Sequence, residues 1–332
     1  MPEGPMKIEP LAGFEALDES RWNALLDRAQ HPSLFLTWQW QTAWTRAFLG
    51  GRPLQLLTVS DDAGALAGIL PLYEEGSGVR RFIGGIDVSD YLDLIVPAGL
   101  EEEVWAALLQ HRAAEMCEWD LHAIRAVSPT IEIVPRLSTG AGLTVTVERE
   151  DRCPVLALPD SWDAYLERLS GKDRHELRRK IRKLERELPG TSVRSHAAWE
   201  GWDEALADFL RLHRLSKVGK ARFMDGRMEE FFRDSTRTLA AAGWARLWFL
   251  DWDGAAVASF LCLEYGGSVS LYNSGFDPTH AKLAPGLVLL AHVIGDAITR
   301  RIPVFDFLRG EEPYKYAFGP EPRELFRMQV RP

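Results

Sequence analysis

A strong hairpin signal in the second half of the sequence limits the possible folds more than any other feature. Asp253-Gly254 joins two strand-like segments, Ala245–Trp252 and Ala256–Tyr265, and a two-residue Asp-Gly link of this kind favours a tight antiparallel turn. The segments that follow are a strand, a mostly apolar helix and another strand, at Ser268–Ser274, Leu287–Arg300 and Val304–Leu308. This order predicts an α/β unit whose sheet is largely antiparallel.

The first half of the sequence repeats this order of elements without repeating the residues. Its hairpin turn is predicted at Asp61-Asp62-Ala63-Gly64. The segments of this half are the strands Leu54–Ser60, Ala65–Tyr73 and Tyr91–Val96, the helix Glu101–Met116 and the strand Trp119–Val127. We therefore predict an α/β (α+β) fold with two tandem domains, residues 1–150 and 151–332, each a mostly antiparallel mixed sheet flanked by helices.

Helices are predicted between the two halves. Asp160 is placed to cap a helix over Ser161–Leu169, and two further helices cover about residues 199–216 and 227–242. Lys172–Leu188 predicts a helix that is locally basic and mostly charged. Its single apolar stripe consists of Leu177, Ile181, Leu184 and Leu188. Such a helix can hold phosphate groups, and the same pattern equally suits a solvated helix stabilised by oppositely charged side chains four residues apart.

The composition excludes several classes of protein. The 332 residues are 46% hydrophobic and 26% charged, which is ordinary for a globular chain with two domains. The net charge of −9 disfavours DNA binding by the whole surface. The N-terminus does not show the pattern of a signal peptide, a basic segment followed by an apolar core, and no apolar run reaches the roughly 18 residues of a membrane span. The three cysteines are far apart and odd in number, which suits a reducing compartment, and we expect a cytoplasmic protein.

Several catalytic motifs are missing from the sequence. It has no P-loop, no G-x-G-x-x-G after a strand and no G-x-S-x-G, which disfavours P-loop kinases, Rossmann dehydrogenases and serine hydrolases. The histidines lack H-E-x-x-H spacing, so we expect no metal. One positive feature is Pro285-Gly286-Leu287, which opens an apolar helix. The first amides of a helix have no partner within it, so these residues are a candidate pyrophosphate site, although a plain helix start explains them too.

The end of the last apolar strand carries a cluster of polar residues. Asp306 lies within Val304–Leu308, on the face opposite its two phenylalanine neighbours, where an unpaired buried acid would be costly. Arg309, Tyr314 and Lys315 follow closely. An acid, a guanidinium, a phenol and an ammonium therefore leave one strand together, which makes Asp306, Lys315 and Arg309 candidate catalytic residues. A structural ion pair between Asp306 and Arg309 is the alternative.

Three tryptophans crowd a helix predicted over Trp38–Phe48, with Thr37 as its N-cap. Trp38, Trp40 and Trp44 are either core or domain-contact residues, or they form one wall of a substrate cleft. The second interpretation follows from the affinity of aromatic faces for sugars and other amphipathic ligands.

Seven motifs occur in order along most of the chain. They are Phe35-Leu36-Thr37-Trp38 with Trp44, Gly68-Ile69-Leu70-Pro71-Leu72-Tyr73, Asp90-Tyr91-Leu92-Asp93, Arg174-His175-Glu176-Leu177-Arg178-Arg179, Tyr272-Asn273-Ser274-Gly275-Phe276-Asp277, Pro285-Gly286, and Phe305-Asp306-Phe307-Leu308-Arg309-Gly310 with Tyr314-Lys315. In this order they resemble the BioF2-like (CelD/BcsL-type) acetyltransferases of the GNAT superfamily, which are related to the FemABX peptidyltransferases.

The resemblance implies two GNAT-like domains and transfer of an acyl group from a thioester to an amine or a hydroxyl. It places the pyrophosphate of acetyl-CoA or another acyl-CoA at the helix start, with Pro285, Gly286, Leu287 and Asn273 as donor-binding residues. This loop keeps only one glycine of the usual Q/R-x-x-G-x-G/A pattern. The residues that the resemblance assigns to substrate binding are Trp38, Asp90, Tyr91, Tyr272, Tyr314 and Arg178.

Three hypotheses follow. The first is an N- or O-acyltransferase that uses acyl-CoA and a small-molecule or glycan-precursor acceptor, such as a cell-envelope or polysaccharide precursor. Its residues 1–150 would shape the acceptor cleft, and residues 151–332 would bind the donor. Asp306 would serve as base or amine orienter, and Lys315 or Arg309 would stabilise the oxyanion or a substrate phosphate.

The second hypothesis is a FemABX-like aminoacyltransferase that uses aminoacyl-tRNA, with tRNA on the Lys172–Leu188 helix. It rests on Lys315 before Phe318-Gly319, which is similar to a lysine near the C-terminus of FemABX proteins. The third is a non-catalytic binding protein, because a fold does not fix a function.

Overall fold

The computed structural model describes residues 6–76, 78–115 and 117–332. Its strands are β1 (Lys7–Leu11), β2 (Leu54–Ser60), β3 (Leu66–Glu74), β4 (Val79–Phe82), β5 (Glu118–Arg125), β6 (Thr144–Ala157), β7 (Ser192–His196), β8 (Ala245–Trp252), β9 (Ala255–Tyr265), β10 (Ser268–Phe276), β11 (Val304–Asp306) and β12 (Glu321–Arg331). Its α-helices are α1 (Glu19–Leu26), α2 (Trp38–Phe48), α3 (Glu101–Ala113), α4 (Thr130–Ser138), α5 (Trp162–Arg168), α6 (Gly171–Glu187), α7 (Trp202–Ser216), α8 (Val218–Phe223), α9 (Gly226–Ala241), α10 (Pro285–Thr299) and α11 (Pro313–Tyr316).

The contacts within the chain define two compact units. The first comprises the residues up to Asp151 together with Arg323–Pro332, and the second is Arg152–Pro322. The last ten residues thus group with the first unit, which differs from the predicted division at residue 150. The reason is that β12 pairs with β5 in antiparallel register, so the end of the chain returns to the first sheet.

The sheet of the first unit is mixed and mostly antiparallel. β1, β2, β3 and β4 pair antiparallel in turn, β4 and β5 pair in parallel through the α3 crossover, and β5 pairs antiparallel with β12. The hairpin, the next strand, the helix and the returning strand are therefore β2–β3, β4, α3 and β5. The predicted order of elements is confirmed, but one of its members is different.

That member is the segment Tyr91–Val96, and the prediction that it forms a strand is wrong. The amide of Leu92 donates to the carbonyl of Ala123 at 3.1 Å, whereas Ile95 makes a single bridge with Ile69. Because its hydrogen bonds go to separate partners, no ladder forms. The strand before the helix is instead β4, which has four residues and two arginines and is too short and too basic to be recognised from its pattern.

The sheet of the second unit has the order β6-β11-β10-β9-β8-β7, counting the part of β6 that belongs to this unit. β10 and β11 are parallel and are connected through α10, and the other neighbours are antiparallel. The hairpin at Asp253-Gly254 joins β8 to β9, as predicted. The mixed, mostly antiparallel sheets flanked by helices confirm the predicted fold class.

The remaining predicted elements agree closely with the structure. Thr37 caps α2 by accepting from the amide of Trp40 at 3.3 Å. Helix α5 is capped by Ser161 and not by Asp160. The helix predicted over Glu101–Met116 is observed as α3, which ends at Ala113, and Met116 lies outside the described residues.

The core of the second unit explains why α6 is so highly charged. The apolar α10 is buried on nearly all sides between the sheet and its neighbours α5 and α6. Helix α6 contributes only its predicted stripe to this core, in which Leu177, Leu184 and Leu188 are buried. The rest of α6 faces solvent and carries local pairs such as Arg179 with Glu176. One narrow apolar face is therefore enough to hold the helix in place.

Two further properties concern the described ranges as a whole. No helix in residues 6–76, 78–115 and 117–332 combines the length and the apolar character needed to span a bilayer. The same ranges contain no group of three or more His, Cys, Asp or Glu side chains placed to hold a metal ion.

A charged network in the first unit couples stability to pH. The buried Asp120 accepts hydrogen bonds from Arg81, Arg327 and Nε2 of His122, and Nδ1 of His122 lies 2.6 Å from Glu150. Burial opposes a charged imidazole, but the hydrogen bonds to the two carboxylates outweigh it and raise the pKa of His122. Because the folded pKa is above the unfolded value, the stabilisation is complete below about pH 6.5 and is lost as the pH rises through the folded pKa.

We expect His122→Gln to lower the free energy of unfolding more at pH about 5 than at pH about 9. Urea unfolding of the variant and the wild type across this range measures the difference. His175→Gln, on the exposed face of α6, is the matched control and should show no such trend. A destabilisation that is equal at both pH values would show that His122 is neutral in the folded state.

Candidate functional site

The parallel pair β10–β11 positions the candidate site in the second unit. In a β-α-β connection the carboxyl ends of both strands and the start of the helix lie at the same edge of the sheet. Here that edge combines the end of β10, the loop after β11 and the start of α10. The chemistry-bearing residues that the sequence indicated at these three places are therefore brought together by topology.

At this edge β10 extends beyond its pairing with β11. β11 pairs with β10 only over Ser268–Ser270, and β10 then continues through Leu271–Phe276. The pairing of β10 with β9 shifts between Leu271 and Asn273, so Tyr272 is an extra, bulged residue whose ring packs 5.6 Å from that of Phe232. Such bulges re-aim side chains and frequently lie beside functional sites.

Asp306 is the last residue of β11 and is 7% exposed. Its Oδ1 accepts a hydrogen bond from the amide of Leu308 at 2.8 Å. The neighbouring rings of Phe305 and Phe307 point into the core and contact each other at 5.1 Å. The alternation predicted from the sequence is thus present, and the carboxylate lies on the side opposite the two rings.

Lys315, a residue of α11, holds the loop after β11 through hydrogen bonds. The ammonium donates to the carbonyls of Arg309 and Gly310 at 2.9 and 3.1 Å, and it pairs with Glu312 at 2.9 Å. A longer contact of 3.4 Å reaches the carbonyl of Leu308. Since an ammonium has three donors, these partners occupy all of them. Lys315 is 4% exposed, so it forms the buried centre of this loop.

The loop itself has an unusual backbone. Leu308 has φ of +55° and Gly310 has φ of +109°, a region in which a side chain is strained. A Cβ on Gly310 would also lie 2.7 Å from the carboxylate of Glu312. Burial disfavours the charged form of the Glu312 carboxylate, but the hydrogen bond from Lys315 outweighs this effect and lowers the pKa of Glu312. Next to Lys315, Tyr314 is 38% exposed and presents its ring at the surface.

The start of α10 offers fewer free amides than the sequence suggested. Ala284 is left-handed, with φ of +52°, and its carbonyl accepts from the amides of both Leu287 and Val288 at 3.0 and 3.3 Å. Pro285 has no amide hydrogen, so the N–H of Gly286 is the donor that remains for a ligand. A Cβ at Gly286 would meet no atom within 4 Å, so the space around this residue is open.

Basic side chains lie beside this helix start. Lys183 of α6 donates to the carbonyl of Lys282 at 3.1 Å, three residues before Pro285. Lys282 is itself exposed. Arg178, one of the predicted substrate-binding residues, lies on the exposed face of α6, where its carbonyl accepts from Arg182 at 3.3 Å.

Three predicted substrate-binding residues belong to the first unit. Trp38 begins α2 and contacts Phe14 edge-on at 6.5 Å. Asp90 and Tyr91 lie in the segment after β4, where Arg125 stacks over the ring of Tyr91 at 5.2 Å. The helix of this unit that corresponds to α10 is α3, and its first turn carries Glu101, Glu102 and Glu103. Just before this helix, the amide of Gly99 donates a hydrogen bond to the carboxylate of Glu101.

A group of residues at the end of β10 was not predicted from the sequence. Lys220 of α8 donates to the carbonyl of Ser274 and, at 3.0 Å, to its hydroxyl. Nδ1 of the buried His213 donates to the same carbonyl at 3.0 Å. The backbone of α7 approaches so closely that a Cβ on Gly275 would lie 2.3 Å from the amide nitrogen of His213. Only the glycine in the Tyr272–Asp277 motif hinted at this close contact.

Comparison with known proteins agrees with this architecture. Residues 171–316, from the start of α6 to the end of α11, match a family model described as an acetyltransferase (GNAT) domain. The crystal structure of FemX superposes with a TM-score of 0.66 at 12% identity, covering 96% of this chain and 96% of FemX. The chain has a GNAT- and FemABX-related fold.

Other solved structures have similar architectures. L-PGS from Bacillus licheniformis gives a TM-score of 0.61 at 12% identity, covering 95% of this chain and 92% of that protein. A conserved protein of unknown function from Bacteroides thetaiotaomicron gives 0.61 at 12% identity, covering 98% and 100%. No curated protein matches the sequence. The predicted relation to the GNAT superfamily and FemABX is confirmed for the fold, and the BioF2-like assignment stays a prediction.

Proposed function

We propose that this protein transfers an acyl group from acetyl-CoA or another acyl-CoA to an amine or hydroxyl acceptor. The observation that carries the proposal is the match of residues 171–316 to an acetyltransferase (GNAT) domain, because this region contains the parallel pair β10–β11 and the start of α10. The match and the FemX-like fold support acyl transfer as the general reaction. The donor, the acceptor and the residue roles are our proposal.

The donor is assigned to the second unit. Its phosphates would accept from the amide of Gly286 and lie near Lys183 and Lys282, because a helix start attracts negative charge. Asn273 and the neighbouring backbone of β10 would contact the rest of the donor. The corresponding helix start in the first unit carries three glutamates that would repel phosphate, so we assign the acceptor to the first unit, with Trp38, Asp90 and Tyr91.

The reaction requires a neutral nucleophile at the thioester carbonyl. At pH 7 only about one in 10³ lysine-like amines is neutral, so a group that removes or shares the proton is worth roughly 10²–10⁴ in rate. Asp306 is proposed to bind and orient the acceptor amine or to act as its base. Arg309 is proposed to stabilise the oxyanion or a substrate phosphate. Lys315 has its donors on the loop, and its proposed contribution is to fix that loop.

We expect Gly286→Asp to weaken the binding of acetyl-CoA by about tenfold or more, because its carboxylate would face the donor phosphates and tenfold corresponds to about 1.4 kcal/mol. Isothermal titration calorimetry measures the affinity. Gly286→Asn is the matched control, since it adds nearly the same volume without charge in a space that is open. Equal affinities for the two variants and the wild type would place the phosphate site elsewhere.

A FemABX-like aminoacyltransferase is the second candidate, favoured by the similarity to FemX over 96% of both chains and by the buried Lys315 before Phe318-Gly319. Ligand binding separates the two candidates, measured by thermal shift for acetyl-CoA and by salt-dependent affinity for tRNA. Under the first, acetyl-CoA raises the melting temperature. Under the second, tRNA binds with an affinity that falls steeply with salt concentration. Ligand binding without turnover of either donor would identify a non-catalytic binding protein.

A further inference from the structure

A partly buried lysine without a counter-ion, Lys220, lies at the end of β10. The two hydrogen-bond acceptors of Lys220 are the carbonyl and the hydroxyl of Ser274, and both are neutral. Within the part of the chain that the structure describes, no carboxylate comes within 4 Å of its Nζ. Buried ammonium groups are normally paired, and exceptions are often functional.

The charged surroundings of Lys220 favour its neutral form. Burial, followed by repulsion from Lys217, lowers the pKa of Lys220 to about 8, although Glu312 opposes this shift. His213 of α7 faces the same carbonyl and adds no positive charge, because burial and the nearby Lys220 lower the pKa of His213 to about 4. Two further cations lie close in sequence: Arg214 of α7 pairs with Glu229, and Arg222 of α8 is exposed to solvent.

The two hydrogen bonds to Ser274 leave the third position on Nζ of Lys220 for a proton or a lone pair. Two N–H groups are directed to the two oxygens of Ser274, whether the side chain is an ammonium or an amine. The remaining position carries a third proton in the ammonium and a lone pair in the amine. Lys220 is therefore held in one orientation in both protonation states, as a group that exchanges a proton must be.

We propose that Lys220 accepts the proton of the acceptor amine or hydroxyl during acyl transfer. This inference rests on the proposed function. As the acceptor nitrogen or oxygen bonds to the carbonyl carbon, its proton moves to Nζ of Lys220 and the bond from carbon to the thiolate sulfur of CoA breaks. Lys220 then returns the proton to the thiolate, which leaves as free CoA. Asp306 orients the acceptor and does not take the proton.

A site for a substrate anion is the competing interpretation of a partly buried lysine without a counter-ion. Such a site benefits from a stable ammonium, whereas burial and Lys217 both destabilise the ammonium here. Lysine is well suited to base catalysis because burial shifts its pKa readily, while arginine keeps its charge. Lys220→Arg therefore separates the two: an anion site tolerates it and a base does not.

The test measures the release of free CoA from acetyl-CoA with a panel of amine acceptors, as a function of pH. We expect the wild-type kcat/KM to rise with an apparent pKa of about 8. Lys220→Arg and Lys220→Met should each lower kcat by about 10²-fold or more. Lys217→Met should keep the plateau rate and move the rise to higher pH, because it removes a charge that repels the ammonium. A merely structural lysine would not shift the profile.

Two measurements on the folded protein need no turnover. The ¹³Cε resonance of Lys220, assigned by its loss in Lys220→Arg, should titrate near pH 8 and move upward in Lys217→Met. Lys220→Met should also raise the melting temperature at pH 7, because it removes a partly buried charge that has no counter-ion while the carbonyl of Ser274 keeps its bond from His213. A titration near the ordinary lysine pKa, or a lower melting temperature, would overturn the assignment.

The outcomes separate this inference from the proposed function. If the wild type shows no transfer from acetyl-CoA to any acceptor, the proposed function fails and the role of Lys220 fails with it. If the wild type transfers the acetyl group and Lys220→Arg retains its rate and pH profile, only the role of Lys220 is overturned.

Discussion

We expect Asp306→Asn to lower the kcat of the proposed acyl transfer by about 10²-fold or more while the fold survives. The asparagine side chain nearly preserves the shape, and its oxygen can still accept from the amide of Leu308, which is the hydrogen bond that Asp306 makes to its own loop. What the substitution removes is the negative charge that would attract and orient an acceptor amine. Turnover and thermal midpoint are measured on the same preparation.

The control for Asp306→Asn is Asp225→Asn in the same unit. Asp225 also accepts one backbone amide at 2.8 Å, from Met228 at the start of α9, and it is exposed and distant in sequence from the site. Asp225→Asn should leave turnover unchanged. If Asp306→Asn instead lowers the melting temperature and leaves kcat per folded molecule near normal, Asp306 is a structural ion partner and has no catalytic role.

Replacing Lys315 by methionine is expected to loosen the loop at residues 307–312 and to lower stability and turnover together. Its ammonium holds two carbonyls and Glu312, and the loss of hydrogen bonds to a charged group costs about 2 kcal/mol of unfolding free energy. Because Arg309 lies on this loop, a displacement of about 1 Å would lower kcat by roughly 10²-fold. Lys315→Arg should fail to rescue, since the larger guanidinium does not fit the buried position.

Urea unfolding, turnover and amide hydrogen exchange in the loop test this second prediction. Lys180→Met is the control, because Lys180 makes only a surface pair with Glu176 at 3.8 Å and should change the free energy by less than about 0.5 kcal/mol. If Lys315→Met slows turnover while stability and loop protection stay at wild-type values, Lys315 acts on the oxyanion, as the sequence first suggested.

The two predictions assign different tasks to neighbouring residues. Asp306 ends a strand whose Phe305 side chain is buried in the core, so its carboxylate is held on a rigid element. Arg309 is carried by a loop with two positive φ angles, and such a backbone is maintained only when other contacts determine it. Lys315 supplies those contacts. The rigid carboxylate and the braced loop are what a pre-organised site requires.

The sequence alone determined the elements whose signals are local. The Asp253-Gly254 turn, the Thr37 cap of α2, the stripe of α6 and the alternation at Asp306 all follow from interactions between residues close in the chain, so each was predicted in its observed form. The fold class followed from the order of these elements. The same reasoning failed at Tyr91–Val96, where suitable residues form no strand because their hydrogen bonds go to two different segments and no ladder forms.

Only the tertiary structure decided how the site residues divide their work. Nothing within Val218–Phe223 predicts that Lys220 reaches Ser274, because the two residues are 54 positions apart in the chain and α7 packs against both α8 and β10 to bring them together. Likewise, the chemistry of lysine permits Lys315 to bind an oxyanion, but the fold places three acceptors around it first. A sequence specifies which groups a site contains, whereas burial and the competition for partners determine which of them remain available to a substrate.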